Sequence, residues 1–297
     1  MYKHATRRCF GRIAVETKKP TGILNPAAGT ERFRLSRHAP SPDLASFVER
    51  YWVVEWDLRN LEPYSQETLP HPCVNLVVGD DRPGVFGVVE NGRFSYTLSG
   101  KGRVFGVKFR PGGFYPLWKR PVSRLTDRSV GLPDVFGPAG RELEYAVVSE
   151  TGDEGAVRAA EDFLRRRLPE RDVTSEELGR LVDLVASDRS VLRVEDLARL
   201  FGRSPRTLQR LFDRYVGVGP KWIIRRYRLQ EAADLISADS RANLADLALA
   251  LGYFDQAHFT KDFGSLVGVT PAEYARRQAS GFRNDLRDPV PTTVPEA

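Results

Sequence analysis

Residues Phe201–Pro220 read FGRSPRTLQRLFDRYVGVGP, and residues Gly252–Pro271 read GYFDQAHFTKDFGSLVGVTP. Both close a pattern that occurs twice, over Val194–Pro220 and over Leu244–Pro271. Asp196, Leu197, Ala198 and Gly202 match Asp246, Leu247, Ala248 and Gly252, each pair 50 residues apart. One extra residue then enters the second copy. After it, Phe212, Val216, Gly217, Val218 and Pro220 match Phe263, Val267, Gly268, Val269 and Pro271, 51 residues apart.

Each copy predicts two helices joined by a tight turn. Val194, Leu197, Ala198 and Leu200 give an apolar helical face. Gly202 follows, where a helix end favours a left-handed residue. Ser204 offers an N-cap oxygen and Pro205 suits the first helical position. Leu208, Leu211, Phe212 and Tyr215 point the second helix inward, to stop at Gly217. Gly252, the cap residue Asp255, and Phe259, Phe263 and Val267 repeat the scheme. Such a unit is a helix-turn-helix, whose second helix can lie in a DNA major groove.

Between the copies, Pro220–Ser237 reads as one continuous helix of about 25 Å. It can hold two reading heads about one turn of DNA, roughly 34–36 Å, apart. Arg203, Arg206, Arg210 and Arg214 recur at helical spacing opposite Leu208 and Phe212. Over Arg203–Arg228 there are eight Arg or Lys and one acid, Asp213. A charged stripe is ordinarily a solvated face. Here it is nearly single-signed, interleaved with Thr207 and Gln209, and set on a duplicated motif. Arg and Gln can read guanine and adenine edges, and basic side chains can neutralise phosphates.

The length of 297 residues suits two domains. The net charge of +6 favours an anionic partner only weakly, since residues 190–279 hold 14 basic and 10 acidic residues. Two cysteines, Cys9 and Cys73, make no disulfide framework and fit a reducing cytoplasm. No apolar run is long enough to span a membrane, and the basic N-terminus lacks the apolar stretch of a secretory signal.

Residues 1–30 are polar and broken by Pro and Gly, and read as disordered; an alternative places the translation start further along. Ser41-Pro42-Asp43 is expected to open a short helix through Phe47. Strands are expected at Tyr51–Trp56, Cys73–Val78, Val85–Val89, Phe94–Leu98 and Val104–Phe109, with Asn91-Gly92 as a hairpin turn. Short strands at regular spacing predict a small barrel or jelly roll over residues 31–150. Pro116–Val135 reads as loop with short helical turns, and residues 151–173 as a helical linker. A capping box of Thr174 and Glu177 is expected to open the first helix of a domain over 174–279, and 280–297 reads as a disordered tail. The fold class is therefore α+β in two domains, a β domain followed by an all-α domain.

Phe201–Pro220, and more closely Gly252–Arg276, resemble the AraC/XylS family of bacterial transcription regulators. The family's second-unit signature is matched by Gly252, Tyr253, Asp255, Gln256, Ala257, His258, Phe259, Thr260, Lys261, Phe263, Gly268, Thr270, Pro271 and Tyr274. The resemblance covers about a third of the chain, Thr174–Arg277. It implies seven helices and two helix-turn-helix units in successive major grooves. By position, the first head would use Ser204, Arg206, Thr207, Gln209 and Arg210, with Arg203 and Arg214 added from the stripe. The second would use Asp255, Gln256, Ala257, His258, Thr260 and Lys261. Ala257 is short where many relatives are polar, and Gly264 replaces a common basic residue, so the second head is expected to favour phosphate contacts. Phe47–Leu58 and Gly106–Trp118 are similar to the cupin-like sensory domain of one subgroup.

His71, Cys73 and Asn75 cluster in LPHPCVNLVV, but no second Cys/His pair follows, and Cys73 reads as a small buried residue opening a strand. Neither a metal nor a cofactor is expected. Trp52, Trp56, His71, Phe109, Arg110 and Tyr115 are candidates to line an effector site, against the plainer reading of the aromatic residues as core. No phosphate loop, nucleophile elbow or catalytic pair appears, so no catalytic residue is assigned. The leading reading is a cytoplasmic regulator binding a duplex site of about 20 base pairs. A small-molecule effector, RNA polymerase and a second copy of the chain are further expected partners. The alternatives are a cupin-like enzyme carrying a DNA-binding domain, and a DNA-binding protein whose N-terminal domain only dimerises.

Overall fold

A computed structural model of the protein describes residues 32–79 and 82–279. The expectations for 1–30 and 280–297, and the residues His4 and Cys9, lie outside them. The chain has a sheet-rich N-terminal region and a helical C-terminal region.

Among the described residues, eight strands form the first region: β1 (Arg34–His38), β2 (Val48–Leu58), β3 (Tyr64–Thr68), β4 (Asn75–Val78), β5 (Gly84–Phe86), β6 (Phe94–Leu98), β7 (Gly100–Phe109) and β8 (Ser129–Val130). Six make an antiparallel sheet in the order β1-β2-β7-β4-β5-β8, and β3 pairs with β6 as a separate ribbon. Period-two alternation gives the long strands two buried faces. On one, Tyr51 and Val53 sit opposite Val107 and Phe105. On the other, Trp56, Leu58 and Val104 pack with Tyr64 and Tyr96 of the ribbon.

Short helices follow: α1 (Tyr115–Trp118), α2 (Leu132–Phe136), α3 (Ala139–Val148) and α4 (Asp153–Arg165). Leu143 and Val147 of α3, and Ala156, Ala160, Phe163 and Leu164 of α4, belong to the sheet's first core. The segment read as a connector thus lies against the sheet. Asp153 fixes it there by accepting from Ser36 Oγ at 2.6 Å and pairing with Arg103 at 3.2 Å.

Seven helices follow among the described residues: α5 (Val173–Ser187), α6 (Val194–Phe201), α7 (Pro205–Tyr215), α8 (Pro220–Ala238), α9 (Leu244–Ala250), α10 (Gln256–Val267) and α11 (Pro271–Ala279). They enclose two cores. One joins α5, α6 and α7 to Trp222, Ile223 and Ile224 of α8. The other joins Leu229, Ala232, Ala233 and Ile236 of α8 to α9 and α10. The sheet region contributes Val88 to the first and Leu69 to the second.

Three local expectations are corrected. Asn91-Gly92 does not make a hairpin, because β5 pairs with β4 and β8 while β6 pairs with β3. Asp127 accepts from Glu90 N at 2.7 Å and Asn91 Nδ2 at 2.8 Å, and Trp222 Nε1 donates to the Glu90 carbonyl at 3.0 Å. These contacts draw the segment away from a strand return. The cap of α5 is Asp172, whose carboxylate accepts from Ser175 N at 2.8 Å, so the helix starts before Thr174. Residues 42–47 form hydrogen-bonded turns and no continuous helix. Strands β1 and β3, RLSRH and YSQET, carry few apolar residues and gave no strand signal.

Candidate nucleic-acid interface

The two helix pairs close in the same way. In the first, Gly202 is left-handed at φ 66°, and Arg203 N donates to the Ala198 carbonyl at 3.1 Å. In the second, Gly252 has φ 82°, and Tyr253 N donates to the Ala248 carbonyl at 3.0 Å. Each following helix is capped by a side chain. Ser204 Oγ accepts from Thr207 N at 3.2 Å, and Asp255 Oδ1 accepts from His258 N at 2.7 Å. Leu208 and Phe212 bury one face of α7, while Phe259 and Phe263 bury that of α10.

The outward faces differ. Arg203, Ser204, Arg206, Gln209 and Arg210 are exposed and Thr207 is half-buried. Among the described residues, Arg203, Arg206 and Arg210 have no carboxylate partner. Three further arginines of the sequence's basic run are engaged elsewhere. Arg214 donates through Nε to Tyr115 Oη at 2.6 Å and lies over that ring at 4.9 Å. Arg228, buried, pairs with Glu231 at 2.6 Å and donates to the Val185 carbonyl at 2.6 Å. Arg226, also buried, donates to the Pro70 carbonyl at 2.7 Å.

On the second unit, Asp255, Gln256, Ala257, His258 and Lys261 are exposed and Thr260 is half-buried. His258 stacks edge-on against Tyr253 at 5.2 Å and lies 3.7 Å from Asp262. Asp262 also accepts from Tyr253 Oη at 3.3 Å and faces Arg225 at 3.8 Å. Phe254, absent from the sequence-based residue set, is 89% exposed. Its signal was the extra residue of the second copy.

The six effector candidates fall into different surroundings. Trp52 and Trp56 of β2 lie opposite Gly106 and Gly102 of β7. A Cβ at Gly102 would fall 2.2 Å from the Trp56 ring, so these glycines make room for the indoles. Trp56 Nε1 donates to the Ser99 carbonyl at 2.9 Å. Phe109 is fully buried, edge-on to Phe114 at 5.1 Å. The other three face the C-terminal helices. Tyr115 packs on Tyr215 at 4.1 Å, Arg110 lies 3.8 Å from Asp183, and His71 Nδ1 lies 3.4 Å from Arg226 Nη2. Burial first, then Arg226, Lys108 and Arg50, hold the His71 imidazole well below its usual range. Burial pushes the Cys73 thiol up to about 11, which keeps it in the unreactive form. Among the described residues, no group of three or more His, Cys, Asp or Glu side chains converges on a metal position. No described helix is long and apolar enough to cross a membrane.

Residues 36–131 match a family described as a domain of unknown function (DUF6597), and residues 197–277 one described as a helix-turn-helix domain. Over 95 residues the chain is 34% identical to the HTH-type transcriptional activator AarP of Providencia stuartii, covering 32% of this chain and 68% of that protein. The chain belongs to the AraC/XylS family. A second relative of this AraC/XylS protein is the HTH-type transcriptional regulator GlxA of Rhizobium meliloti, 30% identical over 158 residues, 48% of each chain. A solved AraC-type transcriptional regulator from Chromobacterium violaceum is 27% identical over 36% of this chain and 95% of that one, with a TM-score of 0.32. The chain spans between 32% and 48% of the length of three curated relatives that it matches.

Proposed function

We propose that this AraC/XylS member is a cytoplasmic transcription regulator that binds a specific duplex DNA site. Helices α6–α7 and α9–α10 act as two helix-turn-helix units, presenting α7 and α10 to successive major grooves. The observation that carries this reading is the exposed set of Arg203 in the turn and Arg206, Gln209 and Arg210 on the N-terminal half of α7, with its three guanidinium groups unpaired among the described residues. Exposed guanidinium groups can take phosphates or the O6 and N7 edge of guanine. Helix α8, at 19 residues about 28 Å long, joins the two units, a length of the order of one DNA turn.

The sheet region serves in this reading as a jelly-roll-like domain for effector sensing or for pairing with a second copy, with residues 31–150 and 174–279 as the two functional domains. His71, Arg110 and Tyr115 support a signalling role, because each touches a helix of the DNA-binding region. Contact with RNA polymerase belongs to the same reading. Footprinting on selected duplexes tests it. Arg206→Ala and Arg210→Ala should each weaken specific binding, and unchanged footprints for both variants would remove α7 from the interface.

A further inference from the structure

We propose that Phe254 is a specificity-determining residue of the second unit, and that this unit recognises thymine through its 5-methyl group; the proposal rests on the DNA-binding reading above. The backbone locates the extra residue of the repeat. The turn bonds of Arg203 and Tyr253 lie 50 residues apart, but the caps Ser204 and Asp255 lie 51 apart. The residue added between matching turn and matching cap is Phe254.

That residue stands immediately before the N-cap of α10. In a helix-turn-helix the N-terminal residues of the second helix contact base edges. Phe254 is the most exposed of the large apolar side chains described, at 89%, so nothing in the fold accounts for it. Two of the unit's polar side chains are meanwhile engaged within the unit. Asp255 caps the helix, and His258 lies against Tyr253 and Asp262. Phe254, Gln256, Ala257 and Lys261 remain outward, where the first unit presents Arg203, Arg206, Gln209 and Arg210. The thymine methyl is the major-groove feature read by apolar contact, with Phe and Ala among its readers. The second unit therefore adds base readout of its own, beyond the phosphate contacts expected from Ala257 and Gly264.

The experiment uses the full chain and a random duplex library. Selected duplexes are resynthesised with each thymine replaced in turn by deoxyuridine, which removes the methyl and keeps the pairing edge. At one or more positions the wild-type chain should lose about fourfold in affinity, the effect of burying one methyl group. Phe254→Ala should weaken binding to the thymine duplex by a similar or larger factor and be indifferent to the replacement there; Phe254→Leu should retain the sensitivity. A melting curve of each variant checks folding. Failure to enrich any sequence sinks the DNA-binding reading itself. An enriched site bound equally well with deoxyuridine throughout, or one without thymine, overturns the methyl recognition alone. So does undiminished DNA affinity in Phe254→Ala, the result expected if Phe254 docks on another protein.

Discussion

The two helix pairs share their inner construction and differ in what they show to solvent. Phe212 and Phe263 are fully buried at matching positions, and both units use a left-handed glycine and a capping oxygen. Outward, α7 carries guanidinium groups unpaired among the described residues, while α10 carries Ala257, Lys261 and a histidine turned onto its own unit. Packing constrains the inner positions of a duplicated unit, because a lost buried ring leaves a cavity. The outer positions are free to specialise.

The largest test of that comparison is on the shared interior. Phe212→Ala and Phe263→Ala should each cost about 3–5 kcal/mol of stability, read by denaturant titration. A difference well beyond that spread would break the equivalence of the two cores.

The outer faces come next. Arg206→Ala should weaken specific DNA binding by about 1–3 kcal/mol if it reads a base. Arg214→Ala should leave sequence preference unchanged, because its guanidinium serves Tyr115. Quantitative binding to a panel of single-base variants separates the two; a shifted preference in the Arg214 variant would extend the reading face along α7.

Smaller again are the caps. Ser204→Ala and Asp255→Ala should each lower stability by about 1 kcal/mol, measured by thermal melts. Equal losses would support the matching cap geometry.

The smallest effect at neutral pH concerns the seam between the sheet and α8. His71 is neutral when folded, with its usual value of 6.5 lowered by burial and by Arg226, Lys108 and Arg50. Above that value both folded and unfolded chains carry a neutral ring, so the group contributes no pH dependence. Below it the unfolded chain takes up a proton that the folded one refuses, so stability falls as pH drops, until the folded ring also protonates. Denaturant melts at about pH 7 and about pH 5.5 should show this, and His71→Gln should flatten it; an unchanged slope in that variant would place the titration elsewhere.

Much of the helical region was legible in the sequence because its signals are local. A repeat, two glycines, two capping residues and a 3.6-residue apolar period fixed α6, α7, α9 and α10 within a residue or two. The sheet region was less legible. Strands β1 and β3 carry few apolar residues, and the Asn91-Gly92 signal was overridden by Asp127 and Trp222, which lie 36 and 131 residues away from Asn91 in the chain. The arginine stripe was legible as a stripe, but spacing alone does not separate Arg206, in solvent, from Arg214, Arg226 and Arg228, which find acceptors on other elements.

The sequence by itself determined the duplicated helix pairs, their caps and turns, the long helix between them and the family, all written in residues within a few turns of one another. Only the tertiary structure decided which arginines stay outward, which residue is the extra one in the second copy, and how the sheet region reaches both helical cores through Val88 and Leu69. The extra residue was settled by the backbone bonds of the turn and cap, which residue types alone do not place; the other two outcomes depend on distant groups competing for the same buried hydrogen bonds and apolar surface, and local periodicity carries no record of that competition.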